Sequence, residues 1–352
     1  MPKQTTSQPD NLNSQVLNLL RFPLAIVIVA VHIFAEAPAE KEAVCFPIFN
    51  VIQSFIYGFL HYPSVAIYFF ISGFVFFLGL RTWDTDKWIK KIKNRKKTLL
   101  IPYLLWNLIC FLLFVLYYRD FTRLNIKEFL SCFGSITTMP INYPLWFLKD
   151  LMIVVLFTPL LWKLLKKSGK LVLFSFAALM LLKNTGIIDF YVPAQALFFF
   201  SFGAYFSLNS KNMIADMSKV FKPSTIGYLI LGFAAMYFYN TDKNIFITLK
   251  FPLIIFGLFF AFNLAAWLLK KGYCKVNEFL SSASFFMYVS HALVISTIFK
   301  VLVKIMCPVS DISWLIVYIL NLVFTIALLL STYYLMSKYL PKLLTLLTGK
   351  KS

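Results

Sequence analysis

Apolar runs long enough to cross a bilayer recur along almost the whole chain, separated by short polar stretches rich in lysine. An α-helix rises about 1.5 Å per residue, so a hydrocarbon core of roughly 30 Å takes about 20 apolar residues. The pattern predicts ten spans, at about 16–35, 62–80, 99–118, 145–162, 171–185, 193–208, 224–240, 249–269, 284–304 and 313–336. The fifth and sixth are the shortest, with Gly186 and Pro193 flanking a turn between them. In lipid every backbone amide and carbonyl needs an internal partner, which makes helices the spanning structure for segments of this length. The expectation is therefore an all-α, polytopic membrane helix bundle: a polar tail over 1–14, a transmembrane domain over 15–340 and a short basic tail over 341–352.

Composition agrees with this and excludes a soluble fold. Residues of the AVILMFWYC set make up 60 % of the 352 positions and charged residues only 14 %, whereas a soluble chain is nearer half apolar and a quarter charged. The net charge of +20 does not indicate nucleic acid, because the bases lie in short clusters between spans. The tail (with Arg21), 81–98, 163–170, 209–223, 270–283 and the C-terminus hold 24 of the 34 Lys and Arg. Basic residues favour the cytoplasmic side, so both termini are expected there. The two 26-residue segments left outside, 36–61 and 119–144, are candidates for lids or acceptor-recognition loops. Aromatics near span ends, such as Trp83, Trp88, Tyr117, Tyr118, Trp146 and Trp162, suit interfacial anchoring. Ala35-Glu36-Ala37 resembles a signal-peptidase site, but the apolar run before it is too long for a signal core, and a retained anchor is expected. The five cysteines show no metal spacing. Cys45, Cys132 and Cys307 would share the outer face, as a disulfide or as unpaired thiols.

Candidate chemistry concentrates in the first span, LLRFPLAIVIVAVHIF, which carries Arg21 and His32. Eleven residues bring His32 back to within about 20° of the face of Arg21, roughly 16 Å along the axis. Ionisable groups inside a span usually face a bundle interior or a wet cavity. A histidine titrates near neutral pH and can act as a general base; the alternative is a histidine that only bonds a neighbouring helix. His291 lies in the ninth span with Tyr288 three residues earlier on the same face, either to orient a substrate and relay a proton or as a structural hydrogen bond. His61, at an outer boundary before Pro63, reads as structural. Ser72-Gly73, amid five phenylalanines of YFFISGFVFF, marks a close approach of another backbone or a ligand. Lys90, Lys91, Lys93, Arg95, Lys96 and Lys97 form a basic cluster suited to a polyanion, or simply an orientation signal. Lys149 and Asp150 are adjacent, so they point about 100° apart, roughly one turn below the outer interface; Lys149 can snorkel there, and Asp150 either faces the cavity as a substrate-binding group or does not. No GxGxxG, Walker glycine loop, HExxH or paired-carboxylate motif is present.

Four motifs in order, LLRFPLAIVIVAVHIF with its R-x10-H spacing, YFFISGF, NRKKTLLIPYLLW and LWFLKDL, together with YVSHA in the ninth span, resemble bacterial integral-membrane acyltransferase family 3. The resemblance implies an O-acyltransferase of the bacterial inner membrane. It would move an acyl group, commonly acetyl, from cytoplasmic acyl-CoA to a hydroxyl of a carbohydrate, a surface polysaccharide or its lipid-linked precursor. It further implies His32 as base or relay, with Arg21 holding the donor's phosphates or thioester end. Arg95, Lys96 and Lys97 would take the CoA phosphates, and Ser72, Trp146, Tyr288 and His291 would shape the pocket. Acyl-CoA, the sugar acceptor and membrane lipids are the partners expected, with no metal and no nucleic acid. Two departures stand out: Arg95-Lys96-Lys97 replaces a paired-arginine pattern, and lysine lacks arginine's bidentate fork; and no extracytoplasmic hydrolase-like domain is fused. A transporter or flippase for an anionic lipid or sugar would use the same polar stripe. A purely structural membrane protein would leave Arg21 and His32 unexplained.

Overall fold

A computed structural model of the chain describes residues 8–34, 47–119, 126–134, 138–210 and 212–349. Among these the elements are all helical, with no strand. α1 (Gln8–Phe34) is followed by α2 (Pro47–Ser54), which runs through a π-helical stretch, Phe55–His61, into α3 (Tyr62–Phe77). α4 (Thr85–Arg95) likewise runs through Lys96–Leu100 into α5 (Ile101–Tyr118), and a short α6 (Ile126–Ser131) follows. Then come α7 (Trp146–Leu156), α8 (Thr158–Asn184), α9 (Ala194–Asn209), α10 (Met213–Ser218), α11 (Phe221–Thr241) and α12 (Lys243–Lys270). The chain closes with α13 (Glu278–Ser290), α14 (Ala292–Met306), α15 (Asp311–Tyr339) and α16 (Pro341–Thr348).

Each of the ten predicted spans falls on a helix, but the helices do not all qualify alike. Six are long and apolar enough to cross a membrane: Leu12–Phe34, Pro47–Phe77, Thr85–Tyr117, Lys243–Lys270, Glu278–Met306 and Asp311–Tyr339. A seventh crossing results if Tyr143–Leu156 and Thr158–Asn184, bent by 67°, count as one broken span. α9 has 16 residues, about 24 Å, which is short of a hydrocarbon core of roughly 30 Å. α8 covers the end of the predicted fourth span and all but the last residue of the fifth, and its one non-helical residue is Ser168.

Helix also replaces loop at two places. Part of the segment 36–61 is helical from Pro47 onward and continuous with α3. The 81–98 stretch is mostly α4, started by Asp84, whose carboxylate accepts from the Lys87 amide at 2.9 Å. That bond holds the Asp84 carboxyl below the usual carboxylate range.

Contacts sort the helix ends. Asn13 accepts from the Ile214 amide, Arg81 donates to Ser210 O at 2.6 Å, Trp162 donates to Leu80 O at 2.8 Å, and Trp88 donates to Thr158 Oγ1 at 3.0 Å. These gather the start of α1, the end of α3, α4, the start of α8 and the end of α9 at one pole, with the lysine cluster. At the other pole Asp311 accepts from the Ile48 and Phe49 amides, and Asn240 donates to Ser54 Oγ at 2.6 Å.

Between the poles lies a phenylalanine-rich core that includes Phe69, Phe70, Phe76, Phe77, Phe199, Phe200 and Phe262, all fully buried. The tightest crossing is α3 on α9. A Cβ at Gly73 would sit 1.9 Å from Phe200 O, and one at Gly203 would sit 2.0 Å from Phe70 O. Two glycines facing each other's backbones let these helices touch, the usual device for helix association where lipid supplies no hydrophobic drive.

Candidate active site

The α3 face next to that crossing is hollow. His61, Val65, Tyr68, Ser72 and Phe76 recur at three- and four-residue spacing, so they share one side of the helix. They line a cavity of about 340 Å³. Arg21, Ile28 and His32 face them from α1, and Ser281, Ser284 and Tyr288 from α13. Trp146, Phe147 and Leu151 contribute from α7, Lys91, Asn94 and Arg95 from α4, and Thr348 from α16. A second cavity of about 500 Å³ is lined by Lys87, Lys90, Lys91, Lys93, Asn94 and Lys97. Lys91 and Asn94 line both, so the basic cavity is the vestibule of the first.

Hydrogen bonds fix three levels along the cavity. At the lysine end, Arg95 donates from Nη2 to Ser72 O at 3.3 Å, with its guanidinium 5.8 Å from the Phe76 ring. One turn further, Tyr68 donates to Arg21 O at 2.5 Å. At the far end lie His32 and His61, where Tyr57 donates to Val31 O at 2.9 Å. From Ser72 to His61 is eleven residues, about 16 Å, a length a slender chain could thread. The described lining residues include Arg21, Lys91 and Arg95 and no carboxylate, so the interior favours an anion.

His32 Nδ1 lies 2.8 Å from Ile28 O. A carbonyl only accepts, so Nδ1 carries the proton and Nε2 keeps its lone pair, the arrangement a base needs. His291 sits where α13 meets α14, its Nδ1 2.7 Å from Tyr288 O and its ring 4.8 Å from that of His32, edge to face. By the same argument its Nε2 is an acceptor; that atom is buried without a partner. Tyr288 donates to Pro144 O at 2.5 Å, fixing the turn that brings Trp146 to the cavity wall. No group of three or more metal-ligating side chains occurs among the described residues.

A sequence profile described as an acyltransferase domain matches residues 15–334. The chain belongs to acyltransferase family 3. It is 25 % identical over 351 residues to the succinoglycan biosynthesis protein ExoH of Rhizobium meliloti (strain 1021), covering 96 % of this chain and 92 % of that protein. No solved structure matches. Family membership and the apolar helices make this a multi-pass membrane acyltransferase.

On this acyltransferase scaffold the predicted residues separate. Arg21, His32, Ser72, Arg95, Trp146 and Tyr288 all line the cavity, Lys97 lines the vestibule, and His291 stands behind His32. Lys96 is exposed and lines neither. Asp150 does not face the cavity as expected: its Oδ1 accepts from the Tyr191 hydroxyl, so a buried carboxylate is satisfied by a later loop. Lys149 donates to Thr138 O at 3.0 Å and lies 4.8 Å from the Tyr191 ring centroid, rather than snorkelling. His61, read as structural, lines the cavity, and its Nδ1 is buried without a hydrogen-bond partner. The spacing 61-65-68-72-76 could have revealed it, but the boundary placed just before Pro63 cut the pattern. Tyr68 and Thr348 were likewise missed. Cys132 and Cys307 are free thiols, and Cys45 lies outside the described residues.

Proposed function

We propose that the protein is an acyl-CoA-dependent O-acyltransferase of the bacterial inner membrane. Its acceptor is a carbohydrate hydroxyl on a surface polysaccharide or its lipid-linked precursor, with acetyl as the simplest acyl group. Ten crossings with both termini cytoplasmic are part of this reading. The observation that carries it is the continuous cavity from the lysine vestibule, past Arg95 and Arg21, to His32, whose Nδ1 bond to Ile28 O leaves Nε2 unprotonated. The polysaccharide acceptor draws on the relative's role in succinoglycan biosynthesis.

The donor's phosphates would rest among Lys87, Lys90, Lys93, Lys97 and Arg95, and its pantetheine arm would run along the α3 face. Arg21 stands where the thioester end arrives. His32 Nε2 takes the proton of the acceptor hydroxyl as its oxygen bonds to the carbonyl carbon. The carbon–sulfur bond then breaks, and the proton on His32 passes to the departing thiolate. His291, against the His32 ring, holds it in place and can share the transient charge. Lys96, Asp150 and Lys149 take no part.

General-base removal costs roughly 10²- to 10⁴-fold. His32→Ala is therefore expected to reduce transfer from acetyl-CoA by that much while acyl-CoA binding, read by calorimetry, persists. Arg21→Ala combined with Arg95→Ala should abolish that binding. Full activity in His32→Ala, or no acyl-CoA binding to folded wild-type protein, would overturn the reading.

A further inference from the structure

His61, which lines the far end of the cavity beyond His32, is backed by groups that do not themselves line it and that the donor does not use. Tyr57, His61, Tyr62, Phe246 and Tyr239 form a closed circuit of ring contacts, with successive centroids 6.0, 5.1, 5.6, 5.4 and 5.7 Å apart. Lys250, from α12, places its ammonium 4.2 Å from the Tyr62 ring centroid. It has no salt bridge to a carboxylate among the described residues. His61 lies within electrostatic range of both His32 and Lys250, and presents its unpartnered Nδ1.

A lysine seven residues inside an apolar helix carries a heavy desolvation cost, and such groups mark a ligand or ion path more often than packing. A cation–π contact offsets part of that cost. The Nδ1 of His61 adds a second unsatisfied group, this one on a residue of the cavity wall. One ammonium and one imidazole together suit a carboxylate, with the aromatic faces holding the ammonium in place, and they do so on the side of the base opposite the donor's phosphates.

We infer that His61, Tyr62 and Lys250 form a carboxylate-binding subsite beside the outer end of the cavity, reached past His61, for the carboxylate of an acidic sugar acceptor or of a dicarboxylic acyl group. The inference rests on the acyltransferase reading for its place in the reaction, since a thioester at His32 leaves only the acyl chain or the acceptor to reach that far.

The test reads binding rather than turnover, on the full chain purified in detergent. Methyl glucuronide is compared with methyl glucoside, and glutaryl-CoA with valeryl-CoA. The charged member of one pair should bind at least tenfold more tightly, and the pair that shows this identifies the carrier of the carboxylate. Lys250→Met should bring the charged ligand down to its neutral counterpart, and Lys250→Arg should keep much of the difference. If Lys250→Met fails to accumulate, Lys250→Gln makes the same comparison. Equal binding within both pairs in the wild-type chain, or a preference that survives loss of the ammonium, overturns the subsite. Glucuronide selectivity without any acyl-CoA binding would instead remove the acyltransferase reading and leave the subsite standing.

Discussion

At Asp150 a single hydroxyl decides what a carboxylate in a span does. The residue is 8 % exposed and bonded to Tyr191. Asp150→Asn keeps an acceptor for that hydroxyl and should leave transfer within about twofold of wild type, a difference under roughly 0.5 kcal/mol. Tyr191→Phe strands the carboxylate and should lower stability by about 1–3 kcal/mol, read as earlier loss of monodisperse protein on heating. A reversal, with Asp150→Asn inactive and Tyr191→Phe neutral, would return Asp150 to the cavity. The thiols differ in the same local way. Burial pushes Cys132 up to about 11, while Cys307 is exposed. At pH 7.5 maleimide should modify Cys307 and spare Cys132 until the protein is unfolded; rapid labelling of Cys132 would show its burial to be wrong. Arg21 and His32 were legible because both lie on one helix at a spacing that geometry converts to a shared face. Asp150 stayed open in the sequence because its partner is 41 residues away, a pairing no local pattern encodes.

Helices were legible where apolar runs were long, and misjudged where polar residues ride on a helix. TDKWIKKIKNR reads as a loop by hydropathy, yet Asp84 caps it and it runs on into α5, since lysine and arginine are good helix formers. Gly73 was expected to mark a close approach, and the approach is the Phe200 backbone of α9. Gly73→Ala and Gly203→Ala each put a methyl carbon into a carbonyl oxygen that cannot swing aside. Each should cost at or above the roughly 1–3 kcal/mol of core overpacking, read as reduced folded yield. Near-normal yield from both would mean that α3 and α9 sit further apart. At the mouth of the cavity, α16 is held by Trp106, which donates to Leu347 O at 3.0 Å, and by Gly349 at φ +66. A Cβ there would lie 2.4 Å from Lys97 O. Gly349→Val should therefore displace Thr348 from the wall and weaken acyl-CoA binding by about tenfold, roughly 1.4 kcal/mol, with the rate at saturating donor largely kept. Unchanged donor affinity would show that α16 only covers the bundle.

Membrane order is a property of the whole chain, and counting helices by length and apolarity leaves it open between even and odd. Six crossings and ten crossings both return the C-terminus to the side of the N-terminus, whereas seven separate them. The proposed ten rests on how the helix ends meet: the start of α8 meets α4, the end of α9 meets Arg81, and the end of α11 meets Ser54 at the opposite pole. α11, which follows α10 at the pole of Asn13 and ends at Ser54, passes from one pole to the other. The lysines follow the same division, gathering at the pole of α4. An impermeant thiol reagent on whole cells carrying a single cysteine separates the three counts. Ten crossings expose Cys307 and shield Cys274 and an introduced Ser218→Cys. Six would expose both Cys307 and the cysteine at 218, because 119–242 would then stay outside. Seven would expose Cys274 and shield Cys307. Ten and six crossings both set the lysine vestibule at the face of the N-terminus with the end at Lys250 at the opposite face, whereas seven would bring Lys250 to the vestibule's side and so break the proposed path from donor to acceptor.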